Sequence, residues 1–233
     1  MDFDRYKDTY RDELEDSISF AGAGADFYTE VKAAQLVDVA ARKLGEPKRL
    51  RVLDAGCGPG ETDAFLRGAF AELSGADVSE GMVEAAAGRN PWANYRHFEA
   101  GEPLPFEDGH FDLSFAICVL HHVDPEDRGS FMSELARVTQ PGGIVAIFEH
   151  NPVNPLTRWA VAHCPFDEGV DLLPVTESER YLAGAGLRRA RRDYVVFFPR
   201  PLAWLRFMEA SLGWCPLGAQ YAVHAVAGRF PRR

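Results

Sequence analysis

The sequence is poor in the features that mark membrane, secreted and zinc-stabilised proteins. Four cysteines lie far apart and form no C-x-x-C pair: Cys57, Cys118, Cys164 and Cys215. That spacing argues against both a disulfide framework and a structural zinc site. No apolar run approaches the roughly 20 residues that span a bilayer, and the first residues show no basic-then-apolar secretion signal. We therefore expect a cytoplasmic protein without a membrane span.

Positive charge is also scarce. The 233 residues include 25 lysines and arginines against 35 acidic residues, which gives a formal net charge of -10. A chain this negative repels phosphate backbones, so we expect no nucleic-acid partner. Nine arginines nevertheless gather in residues 186–233. They fit either a solvated face or a site for an anionic or lipid-linked substrate.

Short apolar segments alternate with amphipathic ones along most of the chain. Hydrophobic residues make up 46% of the total, enough for one buried core. The pattern predicts strands at 51–54, 73–78, 95–99, 111–120, 144–148, 194–198 and 221–227. It predicts helices at 29–44, 61–70, 79–89, 125–138 and 176–185, and a turn at Pro141-Gly142-Gly143. This order indicates an α/β fold, a doubly wound Rossmann-like sheet, mostly parallel, with helices on both faces.

A glycine-rich turn, with Gly56, Gly58 and Gly60, follows the first predicted strand. Glycine permits positive φ and lets a ligand approach the main chain, and the next helix points its first amides to the same place. A dinucleotide fingerprint that starts at Gly56 requires glycine at position 61, where Glu61 stands. This argues against a nicotinamide cofactor. Glu61 itself fits either an N-terminal helix acid or a ligand contact.

Acidic residues stand where neighbouring strands are predicted to end. Asp77 ends the second strand and Glu99 the third. Open α/β sheets bind ligands beyond the carboxyl ends of their strands, so these acids and the glycine turn are expected to meet in one crevice. A carboxylate at Asp77 can accept both hydroxyls of a ribose, and Glu99 with the amides of Ala100 and Gly101 can meet an adenine edge. For each acid alone, a solvated loop is an equally good explanation.

Four motifs carry a family resemblance. They are V-L-D-A-G-C-G-P-G at 52–60, A-D-V-S-E-G-M at 76–82, P-L-P-F-E-D-G-H-F-D at 103–112 and L-A-R-V-T-Q-P-G-G at 135–143. Together they resemble the class I S-adenosylmethionine-dependent methyltransferases, in particular the small-molecule, type 11-like branch. The resemblance covers about residues 50–150 and implies a seven-stranded sheet whose last strand is antiparallel. It also implies S-adenosyl-L-methionine as cofactor and S-adenosyl-L-homocysteine as product.

The resemblance assigns residues to the cofactor. It implies that Asp54 and the three turn glycines hold the methionine portion, and that Asp77 holds the ribose. It places Val78 and Met82 on the adenine face and Glu99, where the family usually has Asp, at the adenine amino group. Further contacts are expected from Cys57, Ala100, Ile117, His122, Phe20 and Tyr28.

Polar groups that could act on a methyl acceptor follow the fourth and fifth strands, as His121-His122 and Glu149-His150. Methyl transfer is an in-line displacement, and many acceptors need a base. His150, Glu149 and His121 are the catalytic candidates. The alternatives are a cofactor-pocket wall for the histidine pair and a hydrogen-bonded turn for Glu149-His150. We expect no metal site, because adjacent histidines should point apart and no third ligand has suitable spacing.

The whole chain, residues 1–233, is expected to form one methyltransferase domain. Residues 1–45 would form cap helices, 46–151 the cofactor-binding half and 152–233 the acceptor-side half, with lids at 152–174 and 200–220. The expected activity is methyl transfer to O, N or C of a small-molecule acceptor, by a monomer or homodimer. Two alternatives stay open: a non-catalytic S-adenosylmethionine-binding scaffold or regulator, and a nicotinamide-dependent oxidoreductase.

Overall fold

The computed structural model describes residues 9–18, 24–167 and 169–228. Its strands are β1 (Arg51–Ala55), β2 (Glu72–Asp77), β3 (Asn94–His97), β4 (Phe111–Ile117), β5 (Thr139–His150), β6 (Arg188–Val195) and β7 (Gln220–Val226). Its helices are α1 (Tyr10–Ile18), α2 (Ala25–Lys43), α3 (Glu61–Phe65), α4 (Glu80–Arg89), α5 (Arg128–Val138), α6 (Pro155–Val161), α7 (Val175–Gly184) and α8 (Glu209–Leu212). Three 3-10 helices cover Pro47–Arg49, Pro165–Asp167 and Arg200–Met208.

The seven strands form one sheet in the order β3-β2-β1-β4-β5-β7-β6. Strands β1 to β5 pair in parallel, whereas β7 is antiparallel to both of its neighbours, β5 and β6. The prediction of a mostly parallel, seven-stranded sheet with an antiparallel last strand is confirmed. Strand order reverses between β1 and β4, the position at which such sheets bind ligands.

Each face of the sheet has its own apolar layer, because alternate residues of a strand point to opposite faces. On one face, Ile147 of β5 belongs to a cluster with Met132 and Leu135 of α5. On the other face, Phe148 belongs to a cluster with Leu36 of α2. All five side chains are fully buried. The helices on the two faces hold the sheet rigidly beneath its carboxyl edge.

Helix α3 and strand β5 differ from the sequence prediction. Helix α3 ends at Phe65 instead of residue 70, and Gly68 in the turn that follows has a φ of +71°. The predicted turn at Pro141-Gly142-Gly143 is wrong, because β5 runs through these residues with a register shift against β4. Gly142 has a φ of +89°. The Pro-Gly-Gly sequence therefore marks a bulge within a strand.

The chain after residue 151 is more ordered than its sequence pattern indicates. Helix α6 lies inside the segment 152–174 that was predicted as a lid, with Pro155 in its first turn and the Asn154 side chain accepting hydrogen bonds from the amides of Leu156 and Thr157. Strand β6 begins at Arg188 instead of residue 194. It is an edge strand whose first five residues are exposed. The sequence there lacks the alternation of apolar and polar residues that would predict a strand.

Candidate active site

A cleft of about 1220 Å³ opens beyond the carboxyl ends of β1, β2, β4 and β5. Each of these strands contributes to its floor, through Asp54, Asp77, Ile117 and His150. Helices α1, α2 and α6 form the opposite wall. The cleft lies at the strand-order reversal, where the sequence motifs predicted a ligand crevice. Its volume exceeds that of an ordinary drug-sized pocket, so it has room for two molecules.

The glycine turn is built for close approach to a ligand. Gly56, Gly58 and Gly60 have φ angles of +78°, +50° and +71°. A Cβ atom on Gly56 would lie 2.5 Å from Cγ2 of Val119, and one on Gly60 would lie 2.5 Å from Nδ2 of Asn90. Nothing lies within 4 Å of the Cβ position of Gly58, which lines the cleft. The turn therefore offers bare backbone to the cleft in a conformation that favours glycine.

Hydrogen bonds to the Asp77 side chain link the end of β2 to this turn. Its Oδ2 accepts a hydrogen bond from the amide of Gly58 at 2.8 Å, and its Oδ1 accepts one from the amide of Ser79 at 3.0 Å. Burial raises the pKa of Asp77, and these amides oppose the rise. A carboxylate has about four acceptor sites, so Asp77 keeps capacity for ligand hydroxyls at the cleft surface.

Two buried carboxyl groups, those of Asp54 and Asp63, lie close together below the turn, with exposures of 3% and 0%. Burial, followed by the charge of Asp63, holds the pKa of Asp54 well above its usual range. Burial also raises the pKa of Asp63 to about 6, against a hydrogen bond of 2.7 Å that the Tyr95 hydroxyl donates to it. One oxygen of each carboxyl has no hydrogen-bond partner in the described structure. A shared proton, or a cationic ligand group beside Asp54, would satisfy these oxygens.

Glu61 is neutralised by the protein itself. Its Oε1 lies 2.7 Å from Nη1 of Arg89, and its Oε2 lies 3.3 Å from Nη1 of Arg11. Arg11 belongs to α1 and also pairs with Asp26 at 2.8 Å. Glu61 lines the cleft, but these ion pairs account for its position without a ligand. They hold α1 against the start of α3, so α1 forms part of the cleft wall.

Most of the predicted cofactor contacts line the same cleft. They are Asp54, Gly56, Cys57, Gly58, Asp77, Val78, Met82, Ala100, Ile117, His122 and Tyr28. Gly60 lies in the turn but is not among the lining residues. Glu99 is exposed and is also absent from the lining, although its neighbours Phe98 and Ala100 belong to it. Phe20 lies outside the described residues.

Glu149 and His121 form a buried pair behind the cleft. Oε1 of Glu149 accepts hydrogen bonds from the amides of Val119 and Leu120 at 3.1 and 2.7 Å, and its Oε2 lies 2.5 Å from Nδ1 of His121. Burial alone would raise the pKa of Glu149 and lower that of His121, but their mutual attraction outweighs burial and shifts both the other way. Neither residue is among the described residues that line the cleft.

Asp167, on the 3-10 helix Pro165–Asp167, connects this pair with the cleft. Its Oδ1 lies 3.1 Å from Nε2 of His122 and 3.4 Å from Nε2 of His121. The expectation that the two histidines point apart is wrong, since their ring centroids are 4.1 Å apart and both rings face one carboxylate. Burial would raise the pKa of Asp167, but the close approach of these two histidine rings holds it well below its usual range.

His150, at the end of β5, lines the cleft near these residues. Its ring centroid lies 5.3 Å from that of His121, and its Nδ1 lies 3.5 Å from Nε2 of Gln220. Burial lowers the pKa of His150 to about 4, so its ring is neutral at neutral pH. A neutral imidazole at a cleft surface can accept a proton, hold a hydroxyl or bind a metal ion.

The lining also includes polar residues that no sequence signal predicted, among them Tyr10, Cys118, Asp167 and Gln220. Tyr10 of α1 stacks on Phe166, with ring centroids 4.8 Å apart. Cys118 has a φ of +57°, and Gln220 donates a hydrogen bond to its Sγ at 3.3 Å. These residues come from distant parts of the chain, and no motif spacing joins them.

The two segments that were predicted as lids differ in their position relative to the cleft. Described residues of the segment 152–174 border the cleft, whereas among the described residues of 200–220 only Ala219 and Gln220 reach it. The middle of the second segment instead exposes Trp204, Phe207 and Trp214 by 70%, 76% and 78%. Within the described residues, no helix is long and apolar enough to cross a membrane.

Comparisons with known proteins agree with this geometry. Residues 53–147 match the family model described as a methyltransferase domain. The chain is 37% identical over 112 residues to malonyl-[acyl-carrier protein] O-methyltransferase of Pseudescherichia vulneris, covering 48% of this chain and 43% of that one. It is 32% identical over 193 residues to 27-O-demethylrifamycin SV methyltransferase of Amycolatopsis mediterranei, covering 77% of this chain and 68% of that one. It therefore spans less than half of the first relative and about two thirds of the second.

The fold is also similar to solved structures. A SAM-dependent methyltransferase of Thermotoga maritima superposes with a TM-score of 0.68 at 17% sequence identity, covering 97% of both chains. At that level of identity the likeness concerns the fold alone.

Proposed function

The chain belongs to the class I S-adenosylmethionine-dependent methyltransferases, and we propose that it transfers a methyl group from this cofactor to O, N or C of a small-molecule acceptor. The observation that carries the proposal is the division of one cleft into two unlike ends. The glycine turn and Asp77 follow the strand order to the β1–β2 side of the cleft, whereas His150 ends β5 on the other side of β4 and lies close to Asp167. A nucleoside-sized ligand at the first end leaves space for a second molecule at the other.

The charge of the cleft favours a cationic ligand. Its described lining residues include one lysine, Lys32, no arginine and nine acidic residues: Asp54, Glu61, Asp77, Glu102, Asp124, Glu126, Asp127, Glu134 and Asp167. Arginines outside the lining pair with Glu61 and Glu134, and the other acidic residues still outnumber Lys32. A pyrophosphate in this surrounding would be repelled. The ammonium and sulfonium of S-adenosylmethionine would be attracted, in particular by Asp54, whose buried Oδ1 lacks a hydrogen-bond donor in the described structure.

At the acceptor end we assign His150 the contact with the acceptor. In the displacement, a bond forms between the methyl carbon and the acceptor atom while the sulfur–carbon bond breaks, and sulfur keeps the electron pair. A proton released by the acceptor would pass to the neutral ring of His150. We assign Glu149 and His121, which lie behind the cleft, a positioning role: they hold the residues after β4 and orient Asp167. Alignment of the two reactants would supply most of the rate gain.

Calorimetric titration tests the cofactor assignment. S-adenosylhomocysteine should bind with one site per chain, whereas NAD and NADP should give no saturable heat. Tight binding of NAD or NADP without binding of S-adenosylhomocysteine would overturn the proposal in favour of an oxidoreductase.

A transfer assay separates an enzyme from a non-catalytic binder. The protein is incubated with methyl-labelled S-adenosylmethionine and a panel of small alcohols, phenols, amines and carboxylic acids. Label should appear in at least one acceptor class and should fall when His150 is replaced. Binding of S-adenosylhomocysteine without transfer to any acceptor would support the scaffold alternative and contradict the proposed activity.

A further inference from the structure

Three side chains from distant parts of the chain bring ligand-type atoms together beside the cleft. One ring nitrogen each of His121 and His150 and one carboxylate oxygen of Asp167 all lie within 4.8 Å of one another. We propose that this cluster binds one divalent transition-metal ion of the zinc type.

The spacing of these atoms suits such an ion. Zinc binds imidazole nitrogen and carboxylate oxygen at about 2.0–2.2 Å in tetrahedral geometry, which places neighbouring ligand atoms about 3.4 Å apart. Nε2 of His121 and Oδ1 of Asp167 are 3.4 Å apart. His121 and Asp167 are 4% and 6% exposed, so the ligands are already held by packing. Only a small inward shift of the more accessible His150 is required.

An independent observation points to a ligand at this place. Nε2 of His121 is buried and makes no hydrogen bond of good geometry within the described residues, and the polar atom it approaches, Oδ1 of Asp167 at 3.4 Å, is the other proposed ligand. On the other side of the ring, Nδ1 lies 2.5 Å from Oε2 of Glu149, which makes Nδ1 the hydrogen-bond donor. A metal ion that displaces the proton from Nε2 would meet a lone pair directed at the cluster. A carboxylate behind a histidine in this manner is the usual support of a metal-binding imidazole.

The support extends one step further from the cluster. Glu149 is held in turn by the amides of Val119 and Leu120, at 3.1 and 2.7 Å. A metal ligand therefore rests on a carboxylate that is itself fixed by the main chain. Such outer partners orient the ligand and raise its basicity.

The donor atoms select the kind of ion. Two imidazole nitrogens and one carboxylate suit zinc and related transition metals, whereas magnesium and calcium prefer oxygen ligands alone. Three protein ligands leave a fourth position open. His150 and Asp167 line the cleft, so this position faces the space for the acceptor. On the proposed function, an acceptor hydroxyl bound there would be polarised by the ion, while His150 acts as a ligand instead of taking the proton.

Metal binding to the purified full chain tests the proposal without cofactor or acceptor. The protein is stripped with a chelator, dialysed and titrated with Zn²⁺ in a calorimeter, and Co²⁺ serves as a spectroscopic probe. One Zn²⁺ per chain should bind. His121→Gln and Asp167→Asn should each weaken binding by at least about 100-fold, and Glu149→Gln by about 10- to 100-fold.

Two matched controls distinguish this site from adventitious binding. His163→Gln removes an exposed histidine of the neighbouring segment, and Cys118→Ser removes the thiol that lines the cleft. Both variants should bind Zn²⁺ as the parent does. Melting curves show whether each variant is folded, and X-ray absorption at the zinc edge counts the imidazole ligands in the unmodified protein.

Absence of saturable Zn²⁺ binding, or equal binding by the parent, His121→Gln and Asp167→Asn, would overturn the metal site. Binding of S-adenosylhomocysteine by the same samples reports on the proposed function separately. Metal binding without methyl transfer would support the metal site and contradict the proposed activity. Methyl transfer without metal binding would contradict the metal site and support His150 as the proton acceptor.

Discussion

Three glycine-to-alanine substitutions separate backbone conformation, packing and ligand contact around the glycine turn. Gly56, Gly58 and Gly68 all have positive φ, at +78°, +50° and +71°. A Cβ on Gly56 would collide with Val119 at 2.5 Å, whereas nothing lies within 4 Å of that position on Gly58 or Gly68. Gly58 lines the cleft and Gly68 does not. All three substitutions therefore carry the free-energy cost of a side chain at positive φ. Gly56→Ala adds a steric collision, and Gly58→Ala places its methyl group at the cleft.

The magnitudes follow from these contacts. A side chain in the left-handed region costs about 1–2 kcal/mol, which applies to all three variants. The collision of Gly56→Ala with Val119 adds about 1–3 kcal/mol of overpacking. With about 2–4 °C per kcal/mol for a chain of this size, Gly58→Ala and Gly68→Ala should melt about 2–8 °C lower. Gly56→Ala should melt several degrees below either of them.

The affinity for S-adenosylhomocysteine is the second quantity that distinguishes the three variants. Gly68→Ala should bind S-adenosylhomocysteine as the parent does, because it lies outside the cleft. Gly58→Ala should bind it at least about tenfold more weakly, a difference of about 1.4 kcal/mol, although its stability matches that of Gly68→Ala. Thermal melts followed by circular dichroism and calorimetric titration supply both numbers. Equal melting of Gly56→Ala and Gly68→Ala, or unchanged affinity of Gly58→Ala, would refute the reasoning.

Three further substitutions test the two ends of the cleft. Asp77→Ala removes the acceptors of two amide hydrogen bonds and should weaken S-adenosylhomocysteine binding at least about tenfold by calorimetry; the exposed Asp171→Ala is the control. His150→Gln should spare that affinity and slow methyl transfer about 10²- to 10⁴-fold. The activity of the parent should fall only towards the His150 pKa of about 4 as the pH is lowered, and a midpoint near 6.5 would contradict the assignment. Asp63→Asn should raise the melting temperature at pH 7, since ionisation of a carboxyl with a folded pKa of about 6 costs stability there; the gain should shrink as the pH falls through about 6 and vanish below about pH 3, where folded and unfolded carboxyls are both largely protonated.

The glycine-turn end of the cleft was predictable because its residues are local in sequence. The turn and Asp77 directly follow predicted strands, and strands of a parallel sheet end at one edge. The end of β3 shows the limit of this reasoning, since the strand stops at His97, two residues before the predicted end at Glu99. The burial of Asp63 could not be predicted from the sequence for another reason: it depends on the packing of a five-residue helix.

The acceptor end could not be assembled from the sequence. Asp167 lies on a short 3-10 helix in a segment without apolar periodicity, and its partner His121 belongs to another part of the chain. Adjacent histidines were expected to point apart directly after a strand ending at residue 120, but β4 ends at Ile117, and the backbone turns at Cys118 with a φ of +57°. In a turn the alternation of side chains no longer holds, so both rings reach one carboxylate.

Strand β7 follows β6 in the chain but lies between β5 and β6 in the sheet. Until the ribosome has delivered residues 220–226, one edge of β5 stays open and β6 lacks its described partner. Such an edge is a template for pairing with other nascent chains. A polypeptide cut between α8 and β7 would therefore be prone to aggregate instead of forming a smaller sheet. Because Gln220 also lines the cleft, the cavity wall is completed only when this interior strand is inserted.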